Sequence, residues 1–403
     1  MRAPSRGWGP APLSNGRLTR VRIVVDYRPA LRARTGVGEY IHQIIKALAR
    51  TGQDDEVTLF SSSWKDRPSD EVVADLPGVR IVDQRIPVRA LNLAWHRLGW
   101  PSVEAMAGGT YDVAHSPHPL LMPSRSAAQL VTIHDLHFMD HPERTSREIR
   151  RDYASLAQAH AQRADRVIVS SRYAAGEVER LLQVPGERIA VCPAGAPAWA
   201  AWGRSPAARD GYILFLGTLE PRKNIGGLLE AYARVVSRSP SAPRLVLAGG
   251  TVPDSVQWLE KINAPPLAGR VEYLGYVSTD QRESVYKGAR LLVLPSFEEG
   301  FGLPVLEAMA AGVPIVASNC GAIPEVLGDA GLVVDPEDTE ALAAAIVRCV
   351  TEPGLAEAAA RRGLERVRQF TWERTAGQVR QAYSDAIATR RERSARLSHA
   401  HRH

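Results

Sequence analysis

The chain has 403 residues, 45% hydrophobic and 23% charged, too many for one ordinary core, so two domains are expected. No apolar run reaches eighteen residues, which argues against a spanning helix; three scattered cysteines, Cys192, Cys320 and Cys349, give neither a disulfide framework nor a zinc site and fit a reducing cytoplasm. The net charge of +6 lies at the ends, with eight Arg against one Asp in residues 1–34 and five Arg against one Glu in 390–403, so a mildly acidic body carries basic tails and no nucleic-acid partner is expected.

Residues 1–20 are rich in Pro, Gly and Ser without an apolar core, and read as a disordered basic tail rather than a signal peptide. From there short β-branched runs alternate with helical patterns, which implies parallel sheets and crossover helices. Over residues 21–197 the strand candidates are "VRIVVDYRP", "EVTLFSS", "VRIVDQRI", "YDVAHSP", "AQLVTIHDL", "DRVIVSS" and "ERIAVCPAG". The first helical pattern places Ile41, Ile44, Ile45 and Leu48 on one face. A later one, "RIPVRALNLAWHRLGW", places Leu91, Trp95 and Leu98 on one face with Arg85, Arg89 and Arg97 nearby. It reads as a packed helix, with docking on an anionic membrane as the alternative.

Residues 198–210 are Ala-, Pro- and Gly-rich and form the expected linker. Residues 211–370 repeat the plan with "YILFLGTLE", "RLVLAGG", "RVEYLGYV", "RLLVLPSF", "PIVASN" and "GLVVDPED". A helix over 371–389 and a basic tail over 390–403 complete the chain. The fold class is α/β, with two doubly wound Rossmann-like domains facing each other across a cleft. Ligands in such sheets lie beyond the carboxyl ends of the strands. His134-Asp135, Gly217-Thr218, Gly249-Gly250, Gly275-Tyr276 and Glu298-Glu299 all fall there, which predicts an interdomain site.

The segment "FEEGFGLPVLE", Phe297 to Glu307, is a loop opening into a helix. Pro304 suits the first turn, and Gly302 allows close approach to the backbone. Free N–H groups near Phe301, Gly302 and Leu303 then suit an anion. Glu299 precedes the helix and Glu307 lies a turn inside it, on opposite sides of that anion position. Carboxylates pair well with vicinal hydroxyls, so a sugar, a diphosphate and a second sugar would satisfy the loop in turn. The bland alternative makes both acids ordinary partners of the helix dipole. Basic neighbours are expected to keep both ionised, which counts against a hydrolase acid/base pair.

"SFEEGFGLPVLEAMAAGVPIVASNCGAIPEV" closely resembles the signature of the family-4 retaining glycosyltransferases, and the likeness spans about residues 21–388. It implies the two-domain GT-B fold, with the final helix crossing back onto the N-terminal domain. By that resemblance Glu307 binds ribose hydroxyls and Glu299 a hydroxyl of the transferred hexose. The backbone of Gly300, Phe301, Gly302 and Leu303 holds the hexose and diphosphate. Glu298 matches no functional position and reads as a solvated loop residue.

In "GTLEPRKN", Arg222 and Lys223 supply counter-charge for a diphosphate; a solvated basic turn is the alternative. Many members carry Arg where this chain has Thr218, which leaves the leaving-group charge to Arg222 or Lys223. "RTGVGEY", Arg34 to Tyr40, places Gly36 and Gly38 ahead of the first helix, between donor phosphates and acceptor in the family, or in a plain turn. His134 corresponds to the residue beside the transferred sugar, with Asp135 near it, against the alternative of a structural histidine. Tyr276 and Val277 correspond to backbone that reads the nucleobase.

No D-x-D motif ends a strand, so the resemblance and the basic pair imply a metal-free reaction without a cofactor. The expected partners are a nucleotide sugar donor, GDP-mannose first with UDP-glucose open, and a saccharide or lipid-linked acceptor. The expected location is cytoplasmic, with a weak peripheral contact at the inner face of the plasma membrane as an extension. Competing readings are a sugar-nucleotide epimerase or phosphorylase of the same architecture, or a non-catalytic nucleotide-sugar-binding subunit.

Overall fold

A computed structural model describes residues 20–31, 36–52, 54–140, 147–199 and 211–400. The expected N-terminal tail up to residue 19, Arg34, most of the linker and the last three residues lie outside them. Among the described residues, the N-terminal sheet has strands β1 (Arg22–Asp26), β2 (Glu56–Ser62), β3 (Arg80–Gln84), β4 (Val113–Ser116), β5 (Ala128–Ile133), β6 (Arg166–Val169) and β7 (Ile189–Val191). Their order is β3-β2-β1-β4-β5-β6-β7. The second sheet has β8 (Tyr212–Leu216), β9 (Leu245–Ala248), β10 (Val271–Gly275), β11 (Ala289–Leu294), β12 (Ile315–Ser318) and β13 (Leu332–Val334), ordered β10-β9-β8-β11-β12-β13.

All pairings are parallel, with Ile23 opposite both Val57 and Val113, and Leu292 opposite both Leu214 and Ile315. β5 and β12 are buried along their whole length, as strands covered on both faces must be. In each sheet the order reverses beside the first strand, at β1/β4 and at β8/β11, and a crevice opens beyond those carboxyl ends.

The first helix, Gly36–Thr51, buries Ile41, Ile44, Ile45 and Leu48 completely, as their spacing requires. It starts at Gly36, so Gly36 and Gly38 lie inside its first turn, not ahead of it. The Leu91 helix differs from expectation. Leu91 and Trp95 are buried, but Leu98 is 73% exposed. Residues Ala94–Leu98 form a π-helical turn that Gly99 ends in the left-handed region; the wider turn rotates Leu98 off the buried face.

The last helix runs Trp372–Ala400, so most of the expected basic tail is helical. Its Arg, Glu and Ala residues favour helix, and Arg393 pairs with the buried carboxylate of Asp165. The helix crosses back onto the first helix and onto β4–β7. Ala376, Val379, Ala382, Tyr383, Ala386 and Ile387 form its buried stripe. Gly195 is packed, since a side chain there would meet Trp372 at 2.5 Å, and Trp199, inside the expected linker, lies 5.4 Å from Tyr286.

Candidate active site

The two crevices open on one cavity of about 310 Å³ lined from both domains. The N-terminal domain contributes Gly36, Val37 and Tyr40 of the first helix and His134 and Asp135 beyond β5. From the second domain come Gly217 and Thr218 beyond β8, Gly249 beyond β9, Tyr276 and Val277 beyond β10, and Glu299 to Pro304 beyond β11. Every catalytic or donor-binding candidate from the sequence lines this cavity except Gly38; of the residues placed beyond strand ends, Gly275 and Glu298 do not line it. A Cβ at Gly38 would rest 3.5 Å from Ala30 Cα, so it serves packing within its own domain.

Gly302 adopts a left-handed conformation, φ 92°, and caps the helix Leu303–Ala310, with Pro304 in the first turn. That combination turns the chain sharply and leaves the first N–H groups of the helix at the cavity. Close approach also explains Gly249, where a Cβ would stand 1.9 Å from the Gly217 carbonyl oxygen.

The two carboxylates occupy separate clusters. Lys223 Nζ donates to Glu299 Oε1 at 2.5 Å, Ser296 Oγ donates to the same oxygen at 2.7 Å, and Arg222 stands 3.6 Å from Oε2. Arg222 also donates to Glu220 at 2.8 Å. Burial would raise the Glu299 carboxyl, but Lys223 and Arg222 outweigh it and hold it below the ordinary carboxylate range. Arg222 is itself mostly buried; Glu299, Asp135 and Glu220 more than offset that burial and raise its pKa.

Glu307 accepts from Arg282 Nη1 and from the Tyr286 hydroxyl, each at 2.9 Å. Here burial dominates: the Glu307 carboxyl is raised despite Arg282, with Glu39 adding to the rise. Basic neighbours are expected to keep both acids ionised; at Glu307 the one cation, Arg282, does not outweigh burial. Even so, both Glu307 oxygens accept hydrogen bonds, an arrangement suited to an acceptor rather than a proton donor. Arg282 and Tyr286 were not found from the sequence. Their i, i+4 spacing on Thr279–Gly288 was the available signal, and on so polar a helix it reads as solvent-facing.

His134 Nε2–H donates to the Pro117 carbonyl at 3.2 Å, and its ring meets Tyr40 edge-on at 4.9 Å. Burial lowers its pKa from the ordinary histidine value, and Asp135 only partly opposes this. The imidazole is therefore neutral at pH 7 and available as a hydrogen-bonding group. Glu298 is not solvated, contrary to expectation. Its side chain is 12% exposed and accepts from His137 Nδ1–H at 2.7 Å across the domain boundary.

Fold and cavity define a two-domain α/β protein of GT-B architecture, with one site between the facing sheets. Residues 34–198 match the model described as Glycosyltransferase Family 4, and residues 210–352 the model described as Glycosyl transferases group 1. The chain belongs to the family-4 glycosyltransferases. It is 33% identical over 384 residues to the O-antigen chain mannosyltransferase B of Escherichia coli, covering 90% of this chain and 99% of that one. It is 28% identical to the D-inositol 3-phosphate glycosyltransferase of Rhodococcus jostii, covering 92% and 90%. The sucrose-phosphate synthase structure from Thermosynechococcus elongatus superposes with a TM-score of 0.72 at 25% identity, over 92% of this chain and all of that one.

Proposed function

We propose that the chain is a retaining, metal-independent mannosyltransferase. It would move mannose from GDP-mannose to a saccharide or lipid-linked saccharide during cell-surface polysaccharide synthesis. The observation that carries this reading is the cavity's layout: Glu299 and Glu307 stand in separate clusters with the Gly300–Leu303 backbone between them, and Arg222 and Lys223 line the same wall. Glu307 holds the ribose hydroxyls, the helix N-terminus and the two cations hold the diphosphate, and Glu299 with His134 holds the hexose. The likeness to the Escherichia coli O-antigen mannosyltransferase supports the sugar and the pathway class.

In the reaction the bond between the sugar C1 and the diphosphate oxygen breaks while an acceptor hydroxyl bonds to C1 from the same face. The hydroxyl proton passes to the departing phosphate oxygen. Arg222, Lys223 and the helix N-terminus stabilise the charge on that leaving group, which makes them the main catalytic contribution. A thermal-shift panel of nucleotide sugars, followed by transfer assays with and without EDTA, tests this. GDP-mannose should give the largest shift, transfer should survive EDTA, and NMR should show the donor's anomeric configuration kept in the product. Transfer that vanishes in EDTA and returns with magnesium sinks the metal-free mechanism, and inversion sinks retention.

The acceptor's lipid link finds support on the N-terminal domain. Among the described residues no helix is long and apolar enough to cross a membrane. Leu93, Leu98 and Trp100 are nevertheless exposed, next to the exposed Arg85, Arg89 and Arg97. Arg28, which follows β1, bonds Asn92 at 2.9 Å and stacks over Trp95 at 4.4 Å, which fixes this helix over the carboxyl ends near the cleft. Apolar side chains among arginines suit an anionic bilayer surface. The protein should sediment with vesicles containing anionic lipid at low salt, and Leu93→Glu combined with Leu98→Glu should abolish sedimentation while leaving transfer to a soluble acceptor intact. Equal sedimentation of both proteins removes the membrane contact.

A further inference from the structure

Glu298 is the one carboxylate of the 297–307 loop without a donor-binding role, yet it joins the halves of the site. Its backbone carbonyl accepts from Arg222 Nη1 at 2.9 Å, and the next link, Phe297 N–H to the Arg222 carbonyl, is also 2.9 Å. Its carboxylate reaches the other domain and accepts from His137. His137 begins the short helix His137–Asp140, directly after the His134–Leu136 loop. The same stretch makes two further cross-domain contacts. Ser171 Oγ donates to the Gly300 carbonyl at 2.7 Å, and the Gly300 Cα lies so near the His134 carbonyl that a Cβ would stand 1.8 Å from its oxygen.

We infer that Glu298 is a positioning residue, which with His137 holds the His134–Asp135 loop in register against Arg222 and Glu299. One peptide unit thereby orients the leaving-group cation through its carbonyl and the sugar-facing histidine loop through its side chain. The His137 end of the hydrogen bond is buried and the Glu298 end nearly so, which makes the bond stronger than one at a surface. Misplacing either partner by an ångström costs reaction rate more than donor affinity, because the alignment of reacting groups is what changes. The inference rests on membership of the transferase family and not on the choice of donor sugar.

The variants Glu298→Ala, Glu298→Gln, His137→Ala and the double alanine variant test it. Glu298→Gln keeps an oxygen that accepts from Nδ1–H, so it should stay near wild type. With GDP-mannose as donor, each alanine variant should lose kcat by about tenfold or more with KM changed less than about threefold, and the double variant should be no worse than the worse single one. Hydrogen–deuterium exchange without any nucleotide should speed up in residues 130–138 and 296–303 of the alanine variants, and not in Glu298→Gln. Wild-type exchange in both alanine variants, or losses that multiply in the double variant, overturns the inference. A wild-type protein inert towards GDP-mannose refutes the donor assignment instead, and the exchange measurement then decides the role of Glu298.

Discussion

Glu299 and Glu307 show how far one residue type can be driven apart by its surroundings. Both are almost fully buried, but Glu299 faces two cations and a hydroxyl, while Glu307 faces one cation and a phenol. The first is lowered and the second raised, so the loop holds one firmly ionised acid and one poised nearer protonation. In the proposed reaction Glu307 grips a ribose diol. Its replacement in Glu307→Ala removes charged hydrogen bonds of about 2 kcal/mol, or roughly thirtyfold in kcat/KM, carried mainly by donor KM. Steady-state kinetics and a melting curve check this; an unchanged donor KM would contradict the ribose assignment.

At the scale of elements, the last helix depends on a buried histidine. His115 on β4 lies 2.8 Å from the Tyr383 hydroxyl through Nδ1 and 2.8 Å from Thr132 Oγ1 through Nε2. Burial, first of all, pushes its pKa down to about 3, well below the ordinary histidine value of about 6.5. The unfolded chain therefore takes up this proton before the folded one does. Stability is complete above about pH 6.5 and falls as pH drops towards 3, by about 1.4 kcal/mol per pH unit from this group. Urea midpoints at pH 7, 6 and 5 should fall in that order, and His115→Gln should flatten the trend. Tyr383→Phe should cost about 1 kcal/mol at pH 7.

At the scale of the molecule, function depends on how the two sheets approach. Gly300 is where their backbones meet, and the His134 carbonyl leaves no room for a methyl group. Gly300→Ala should displace the domains, cutting kcat by about tenfold or more as reacting groups lose alignment, while each sheet keeps its own core. Transfer assays and X-ray scattering read this together, and wild-type turnover in Gly300→Ala would mean that the approach is looser than the contact implies. The final helix stabilises the same approach. Thr375 Oγ1 donates to the Pro193 carbonyl at 2.6 Å, and Arg380 binds the Thr51 carbonyl at 2.9 Å at the end of the first helix.

Much of this was legible in the residues themselves. Alternating β-branched runs and amphipathic helices set the parallel sheets, because periodicity reports which side chains leave water. The Gly-x-Gly-x-Pro loop between two acids identified the site, because such a backbone needs glycine and proline at those places. Three things were not legible: Glu298 bound to His137, Arg282 and Tyr286 on Glu307, and Leu98 turned outward. Glu298 and His137 are 161 positions apart, and nothing local marks either as paired. Arg282 sits on a helix whose polarity suggests solvent, yet it is buried in an ion pair with Glu307 of the helix Leu303–Ala310. Leu98 ends a π-helical turn that no 3.6-residue pattern announces. Local pattern determined the elements and the anion loop; the pairing of charges depended on which surfaces the folded chain brings together, and only the tertiary structure decided it.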